Sequence, residues 1–389
     1  MNPMKAHTEP LFPEYEEEKN TLYTTGILPS QTITQLTEKG YVHADIEITD
    51  DQIQPASIDL RLGPMAYRIQ ASFLPGPMAG VMSKLQDWLI AEIDITTPTV
   101  FERGCVYIVP LMENMNLPND IGAKTNPKST AGRLDIFTRL ITDGATEFER
   151  VPNGYTGGLY AEIVPRTFPV VLRQGDCLNQ LRLSRGKPLS LDSRLQKLDE
   201  EEILVYEDGD RPGEASIHNG LRLSINLQGK SDSEVIGYRA KKHAPAIDFR
   251  KINQYTPTDF WEVIKNSKNN NLILNPDDFY ILGSKEKIRV PPHYAAEMVA
   301  YDSSIGEFRI HYAGFFDPGF GYGQSDIKGS HAVLEVRSHD VPFIIEDGQT
   351  VGRLIYERLM APSKKVYGVN IASSYQCQGL SLSKQFRRN

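Results

Sequence analysis

A mainly β protein built from two tandem copies of one sandwich or barrel fold is what this 389-residue sequence predicts. Three observations carry that prediction. Short apolar runs rich in β-branched and aromatic residues recur between Pro, Gly, Asn and Asp. Helical periodicity is confined to two brief segments. A set of anchor residues recurs in the same order in both halves. The composition agrees: 40% of residues are apolar and 24% charged, with 30 glycines and 25 prolines, so the chain is globular and turn-rich rather than collagenous or disordered. A net charge of −8 excludes a chain-wide basic field for nucleic acid and leaves room for a local cationic pocket. Nowhere do 18 apolar residues run together, so a membrane-spanning segment is not expected. The first 25 residues, with Glu9, Glu14, Glu16, Glu17 and Glu18, read as an acidic flexible tail without a secretory h-region. Three scattered cysteines without a CxxC pair fit a reducing cytoplasm better than a disulfide framework.

The first helix signal is Pro29 to Gly40, where Ser30 can cap the start, Ile33 and Leu36 share a face, and Gly40 suits a left-handed stop. The second begins at Thr256-Pro257-Thr258-Asp259 and is expected to run through Phe260-Trp261-Glu262-Val263-Ile264. Strands are expected at Cys105–Val109, Gly158–Val164, Ala332–Val336 and Thr350–Tyr356. Between Arg185 and Ala215 the chain turns polar, with Asp199-Glu200-Glu201-Glu202 and Glu207-Asp208-Gly209-Asp210. That stretch reads as a connection between domains, or as a long surface loop within one. The domain reading is a tail over 1–25, a first domain over 26–185, a linker over 186–215 and a second domain over 216–389.

The repeat supports two domains more strongly than the linker does. Pro118 precedes Ser129 by 11 residues, as Pro292 precedes Ser303; Glu162 precedes Pro169 by 7 and Gly175 by 13, as Glu335 precedes Pro342 and Gly348. Pro55-Ala56-Ser57-Ile58-Asp59-Leu60-Arg61 is echoed by Pro245-Ala246-Ile247-Asp248-Phe249-Arg250.

Among residues able to do chemistry, no zinc-ligand spacing is present: there is no HExxH, no HxE followed by PCxxC and no paired cysteines. Gly122 to Ser129 fails as a Walker loop because Pro127 stands where the second Gly is needed and removes a backbone N–H. Lys128, Ser129, Thr130 and Arg133 do offer two cations and two hydroxyls within six residues, a set that suits a phosphate chain. Read blandly, the same residues are a solvated helix start. The second copy has Asp302-Ser303-Ser304-Ile305-Gly306-Glu307 there, with acids that repel phosphate. Glu162 and Glu335 each interrupt an apolar strand. Each either points outward by alternation or is a partly desolvated general base.

Taken together, the motifs resemble the dCTP deaminases of the trimeric dUTPase superfamily, in double-length form. Gly26-Ile27-Leu28 and Gln54 to Gly63 look like that family's opening, and Lys128 to Arg133 is similar to its Arg-Ser-Ser-Leu-Ala-Arg motif. Phe316-Asp317-Pro318-Gly319-Phe320-Gly321 with Val333-Leu334-Glu335 looks like its Asp-Pro-Gly and Leu-Glu segments, and Ser374 to Gly379 like its C-terminal lid. The resemblance implies a dUTPase-like distorted jelly-roll barrel in each half, with sites at subunit boundaries. It further implies zinc-independent deamination of dCTP to dUTP by a Glu base, Mg²⁺ accompanying the triphosphate, and a homo-oligomer, a trimer or dimer. The first copy lacks the Asp-Pro-Gly of the second, having Val151-Pro152-Asn153-Gly154, while the second has lost the cations. A composite site is therefore expected: Lys128, Ser129, Thr130 and Arg133 from a first copy, Asp317, Phe320 and Glu335 from a second, closed by Tyr375 and Gln378. The competing site joins first copies and uses Glu162. Two other functions remain open: dUTP diphosphatase activity, alone or coupled to deamination, and nucleotide sensing without turnover.

Overall fold

Strand pairing repeats almost element for element along the chain. The computed structural model describes residues 23–188, 190–229, 234–266, 269–300, 308–310, 314–322, 327–338, 341–368 and 379–388. In the first copy one sheet runs Leu89–Asp94, Met65–Ile69, Val106–Asn116, Thr156–Pro165, Ile136–Thr142. In the second, Trp261–Lys265, Val235–Ala240, Tyr280–Ile288, Ser330–Ser338 and Phe308–Ile310 follow in the same order. A second sheet centres on Cys177–Arg185, between Ile58–Arg61 and Ile121–Pro127, and its counterpart on Thr350–Arg358, between Leu221–Ser224 and Tyr294–Ala300. A small antiparallel pair, Thr99–Phe101 with Val170–Leu172, is matched by Asn271–Leu274 with Phe343–Glu346. All four strands expected from the sequence are present. The alternation that made them legible buries Leu159, Ala161 and Ile163 in one copy and Ala332, Leu334 and Val336 in the other.

Specific polar anchors repeat too. Glu113 accepts the backbone N–H of Arg61 at 2.8 Å, and Glu286 that of Ser224 at 2.9 Å. Gly175 and Gly348, both in the left-handed region at φ 83° and 77°, donate to the carbonyls of Leu62 and Ile225 at 2.8 and 2.9 Å. These anchors make Leu221–Ser224 the counterpart of Ile58–Arg61, which overturns one sequence reading. Pro245–Arg250 is no copy of Pro55–Arg61. Its strand Ile247–Asp248 lies in a segment between two second-copy strands and pairs in parallel with Val170–Leu172 of the first copy.

Two other expectations are corrected. The helix at Thr256 stops after Pro257–Phe260, and Trp261–Lys265 continues as a strand, because Trp261 is needed in an aromatic cluster with Phe168, Phe279 and Phe386. The polar stretch 186–215 is no bare linker: it folds a helix, Asp192–Glu202, whose Leu195 and Leu198 enter the second core, and a strand, Val205–Tyr206, that joins the second copy's sheet. The first helix, Ser30–Glu38, is where expected and buries Ile33 and Leu36, but Pro29 takes the cap position and the Ser30 hydroxyl meets Ser363 at 3.0 Å.

The two copies share a core. Phe249, Phe260, Trp261, Phe279, Ile281 and Phe386 of the second half pack into the cluster formed by the first. Lys124 and Glu297 occupy equivalent register positions in their copies, opposite Arg182 and Ile355, and form an ion pair with each other at 3.2 Å. At this equivalent position the two copies carry opposite charge where they meet. Among the described residues no helix is long and apolar enough to cross a membrane.

Candidate active site

Two elements from different copies carry most of the candidate residues singled out in the sequence. The first is the loop after strand Ile121–Pro127, where Lys128 precedes a single helical turn, Ser129–Gly132. Backbone bonds hold that turn tightly: the Lys128 carbonyl accepts from Ala131 and Gly132 at 2.8 and 3.0 Å, and Ser129's from Arg133 at 3.0 Å. Ser129 is exposed, while Thr130 and Arg133 are buried.

The second element is the strand Ser330–Ser338, in which Glu335 sits opposite Ile281. Glu335 is buried, and this burial pushes its carboxyl up to about 7; the Arg133 guanidinium of the first copy pulls the other way, and Asp135 adds to the rise. Arg133 is thus close enough to act on Glu335 electrostatically across the junction of the copies. Arg337, two residues on and on the same face of the strand, forms a buried ion pair with Asp135, two residues beyond Arg133.

Lys128 and Asp317 also act on each other electrostatically. Lys128 is ion-paired with Asp59, and although burial opposes its charge, the Asp59 carboxylate outweighs this and lifts the ammonium above its usual pKa. Burial raises Asp317 to about 6 despite Arg182, whose guanidinium lies 3.8 Å from it, and Lys128, which draws it down. Arg182 itself is buried over the Phe315 ring at 3.9 Å and donates to the Ala296 carbonyl at 2.9 Å. One oxygen each of Asp59 and Asp317 is buried with no hydrogen-bond partner among the described residues.

The chain's end arrives at the same place. The Ser381 carbonyl and hydroxyl accept from Arg133 at 3.1 and 2.9 Å, and the Ser383 hydroxyl donates to the Thr130 carbonyl at 3.2 Å. Tyr375 and Gln378 lie outside the described residues, just before this contact. Phe320 packs edge-on to Phe316 at 5.0 Å and 5.7 Å from Tyr367, at the border of the second core.

Glu162 stands apart from this assembly. It is fully buried, and one carboxylate oxygen takes two bonds from Arg139 of the neighbouring strand, at 2.6 and 3.1 Å. Glu149, beside this pair, is pushed up to about 8 by burial, with the Thr125 hydroxyl donating to it. The residues that sequence reasoning passed over are Asp59, Asp135, Arg182 and Arg337. Asp59 lies inside the family-like Gln54–Gly63 segment, so a signal existed for it; the others become visible only through contacts across the copies.

Among the described residues no group of three or more His, Cys, Asp and Glu could hold a metal ion. Fold and site together define a tandem protein of the dUTPase-like β class. Comparison with known proteins is more specific. The C-terminal domain of 2′-deoxycytidine 5′-triphosphate deaminase matches residues 191–386, and the N-terminal domain of the same enzyme matches residues 24–187. The chain therefore belongs to the dCTP deaminase family. It is similar to a solved 2′-deoxycytidine 5′-triphosphate deaminase from Agrobacterium tumefaciens, 51% identical over 86% of this chain and 99% of that one, with a TM-score of 0.82. Curated relatives include a dCTP deaminase of Halorubrum lacusprofundi, 33% identical over 27% of this chain and 50% of its own length. Another is a dUMP-forming dCTP deaminase of Methanosphaera stadtmanae, 27% identical over 40% of this chain and 77% of its own. The chain thus spans about half the length of the first of these relatives.

Proposed function

We propose that this chain hydrolytically deaminates dCTP to dUTP and ammonia at a composite site, with Glu335 as general base. What supports the reading most is Arg133 of one copy acting on buried Glu335 of the other, in a chain of this family. A carboxyl with a pKa near 7 suits a group that must both take and return a proton at neutral pH. Glu335 removes a proton from water as the oxygen adds to C4 of the cytosine, and passes that proton to N3. It then moves the proton of the new hydroxyl to the exocyclic amine. The C4–N bond breaks, ammonia leaves and a carbonyl remains, so water is the sole co-reactant.

Lys128 and Arg133 provide charge for the triphosphate, and Ser129 and Thr130 provide hydroxyls and backbone N–H groups. Asp317 and Phe320 form the second copy's side of the site in this reading. Mg²⁺ arriving with the triphosphate would screen its charge. Asp59 and Asp317, each with one oxygen that accepts no hydrogen bond among the described residues, fit such a visiting ion, most of whose ligands are phosphate and water, better than a resident one. Glu162, held by Arg139, is a structural residue in this reading. The enzyme would work in the cytoplasm as a homo-oligomer, a trimer or dimer.

A second reading has one observation in its favour: several relatives, including that of Methanosphaera stadtmanae, are dUMP-forming. Incubating the purified chain with dCTP and Mg²⁺, measuring ammonia and separating nucleotides by chromatography tests both. Ammonia with dUTP is the expected result, and ammonia with dUMP and pyrophosphate establishes the second reading. Bound dCTP without ammonia overturns both and leaves a sensor.

A further inference from the structure

The buried contact between Arg337 and Asp135 joins one copy to the other, and its placement sets it apart from the surface ion pairs. Arg337 lies two residues from Glu335 on one strand face; Asp135 lies two residues from Arg133 at the end of the cationic loop. The Arg337 side chain is 5% exposed and that of Asp135 0%. All of the guanidinium is engaged: one nitrogen donates to Asp135 and to the Thr167 hydroxyl at 2.8 Å, another to the Asp277 carbonyl at 2.8 Å, and Nε approaches the second Asp135 oxygen at 3.4 Å. Asp135 is held from its own side as well. Its N–H donates to the Gly132 carbonyl at 2.8 Å, its carbonyl accepts from Arg166 at 2.9 Å, and its φ of 56° lies in the left-handed region, which Asp tolerates better than most side chains. A wholly desolvated carboxylate there is met by a fixed cation, Arg337, and by the Thr167 hydroxyl, which donates to it. By register from Glu162 and Glu335, the first copy carries Val164 where the second carries Arg337, so only the second copy supplies this arginine.

We propose that Arg337 and Asp135 are positioning residues that clamp the Arg133 loop of the first copy to the Glu335 strand of the second, fixing guanidinium and base in one geometry. The clamp rests on the deaminase reading for its consequence: the two halves of a composite site come from parts of the chain about 200 residues apart, and catalysis tolerates little play between them.

The test is steady-state dCTP turnover by R337Q, D135N, the double variant and R337K, with the parent alongside and thermal unfolding to confirm folding. R337Q and D135N each lower kcat at least tenfold with KM changed less than threefold, and the double variant is no worse than the poorer single one, because both remove the same clamp. R337K, which keeps the charge but not the fork, recovers part of the loss. Glu335 is faced by Arg133 and Asp135 from the loop, so D135N also moves the acid limb of the kcat profile to lower pH, which a purely structural defect would not do. Folded single variants within twofold of the parent, or losses that multiply in the double, overturn the proposal. Should R337Q fail to fold, R337K carries the test, and an unchanged kcat there overturns it. A parent that releases no ammonia fails the deaminase reading instead.

Discussion

Replacing Glu335 by Gln should make the protein more stable at alkaline pH while removing its activity. Glu335 is buried without an ion pair among the described residues, and its carboxyl rises from the usual 4.5 to about 7. Between those two values the folded chain holds a proton that the unfolded chain has lost. Stability attached to this group is therefore fully present below about pH 4.5 and is lost as pH rises through about 7. The interval is about 2.5 pH units, which at ~1.4 kcal/mol per unit amounts to about 3–4 kcal/mol. Gln is nearly isosteric and does not titrate, so Glu335→Gln escapes that cost. Thermal unfolding of parent and variant at about pH 5 and about pH 8.5 is the assay, and the expected gain at the higher pH is on the order of 5 °C, shrinking towards zero at the lower. A gain that is the same at both pH values, or a variant less stable at the higher one, would refute the claim that desolvation of Glu335 sets its protonation.

Further outcomes follow from the same geometry. Because Arg133 lowers the Glu335 carboxyl, Arg133→Gln should move the acid limb of the kcat profile above pH 7 as well as cutting kcat/KM by about 10²-fold, both read from one pH series. Charge reversal at Lys124 or Glu297 alone should destabilise by about 1 kcal/mol, a modest figure because Lys124 is half exposed. The exchange of both should recover part of the loss, since a glutamate at 124 would also face Glu357, whose carboxylate lies 3.9 Å from the Lys124 ammonium. Phe386→Ala should cost ~3–4 kcal/mol, since that ring is 2% exposed and packs 5.4 Å from Phe260 and 6.0 Å from Trp261. It should also raise KM for dCTP, by loosening the tail that meets Arg133 and Thr130.

The strands and the repeat were legible because both rest on local pattern. Alternation around Glu162 and Glu335 and the left-handed glycines at 175 and 348 are properties of short segments, and the fold preserves them. The second helix was misread because its start signals are genuine: Thr256 takes the cap position and Pro257 the first turn. What ends it is the demand of a distant aromatic cluster for Trp261, a demand no local signal carries. The Pro245–Arg250 echo misled for the converse reason: likeness of sequence says nothing about pairing partner, and Ile247 pairs with Val170, 77 residues away. The helix Asp192–Glu202 hid in a stretch whose many acids read as solvated, although Leu195 and Leu198 lie three residues apart and so share a face. At the site, residue types singled out the cationic loop and the strand glutamates. Which glutamate meets the loop is a matter of how two copies pack, and Arg337 with Asp135 is invisible until they do.

The central claim is that the catalytic base is Glu335, meeting a loop from the other copy. Single-turnover conversion of dCTP by Glu335→Gln and Glu162→Gln, measured side by side with folded protein in excess over nucleotide, tests it most directly. The account predicts a loss of at least 10³-fold for Glu335→Gln, as for removal of an essential general base together with its charge, and a rate within about threefold of the parent for Glu162→Gln. Full activity in Glu335→Gln with none in Glu162→Gln would contradict it and move the site to the first copies.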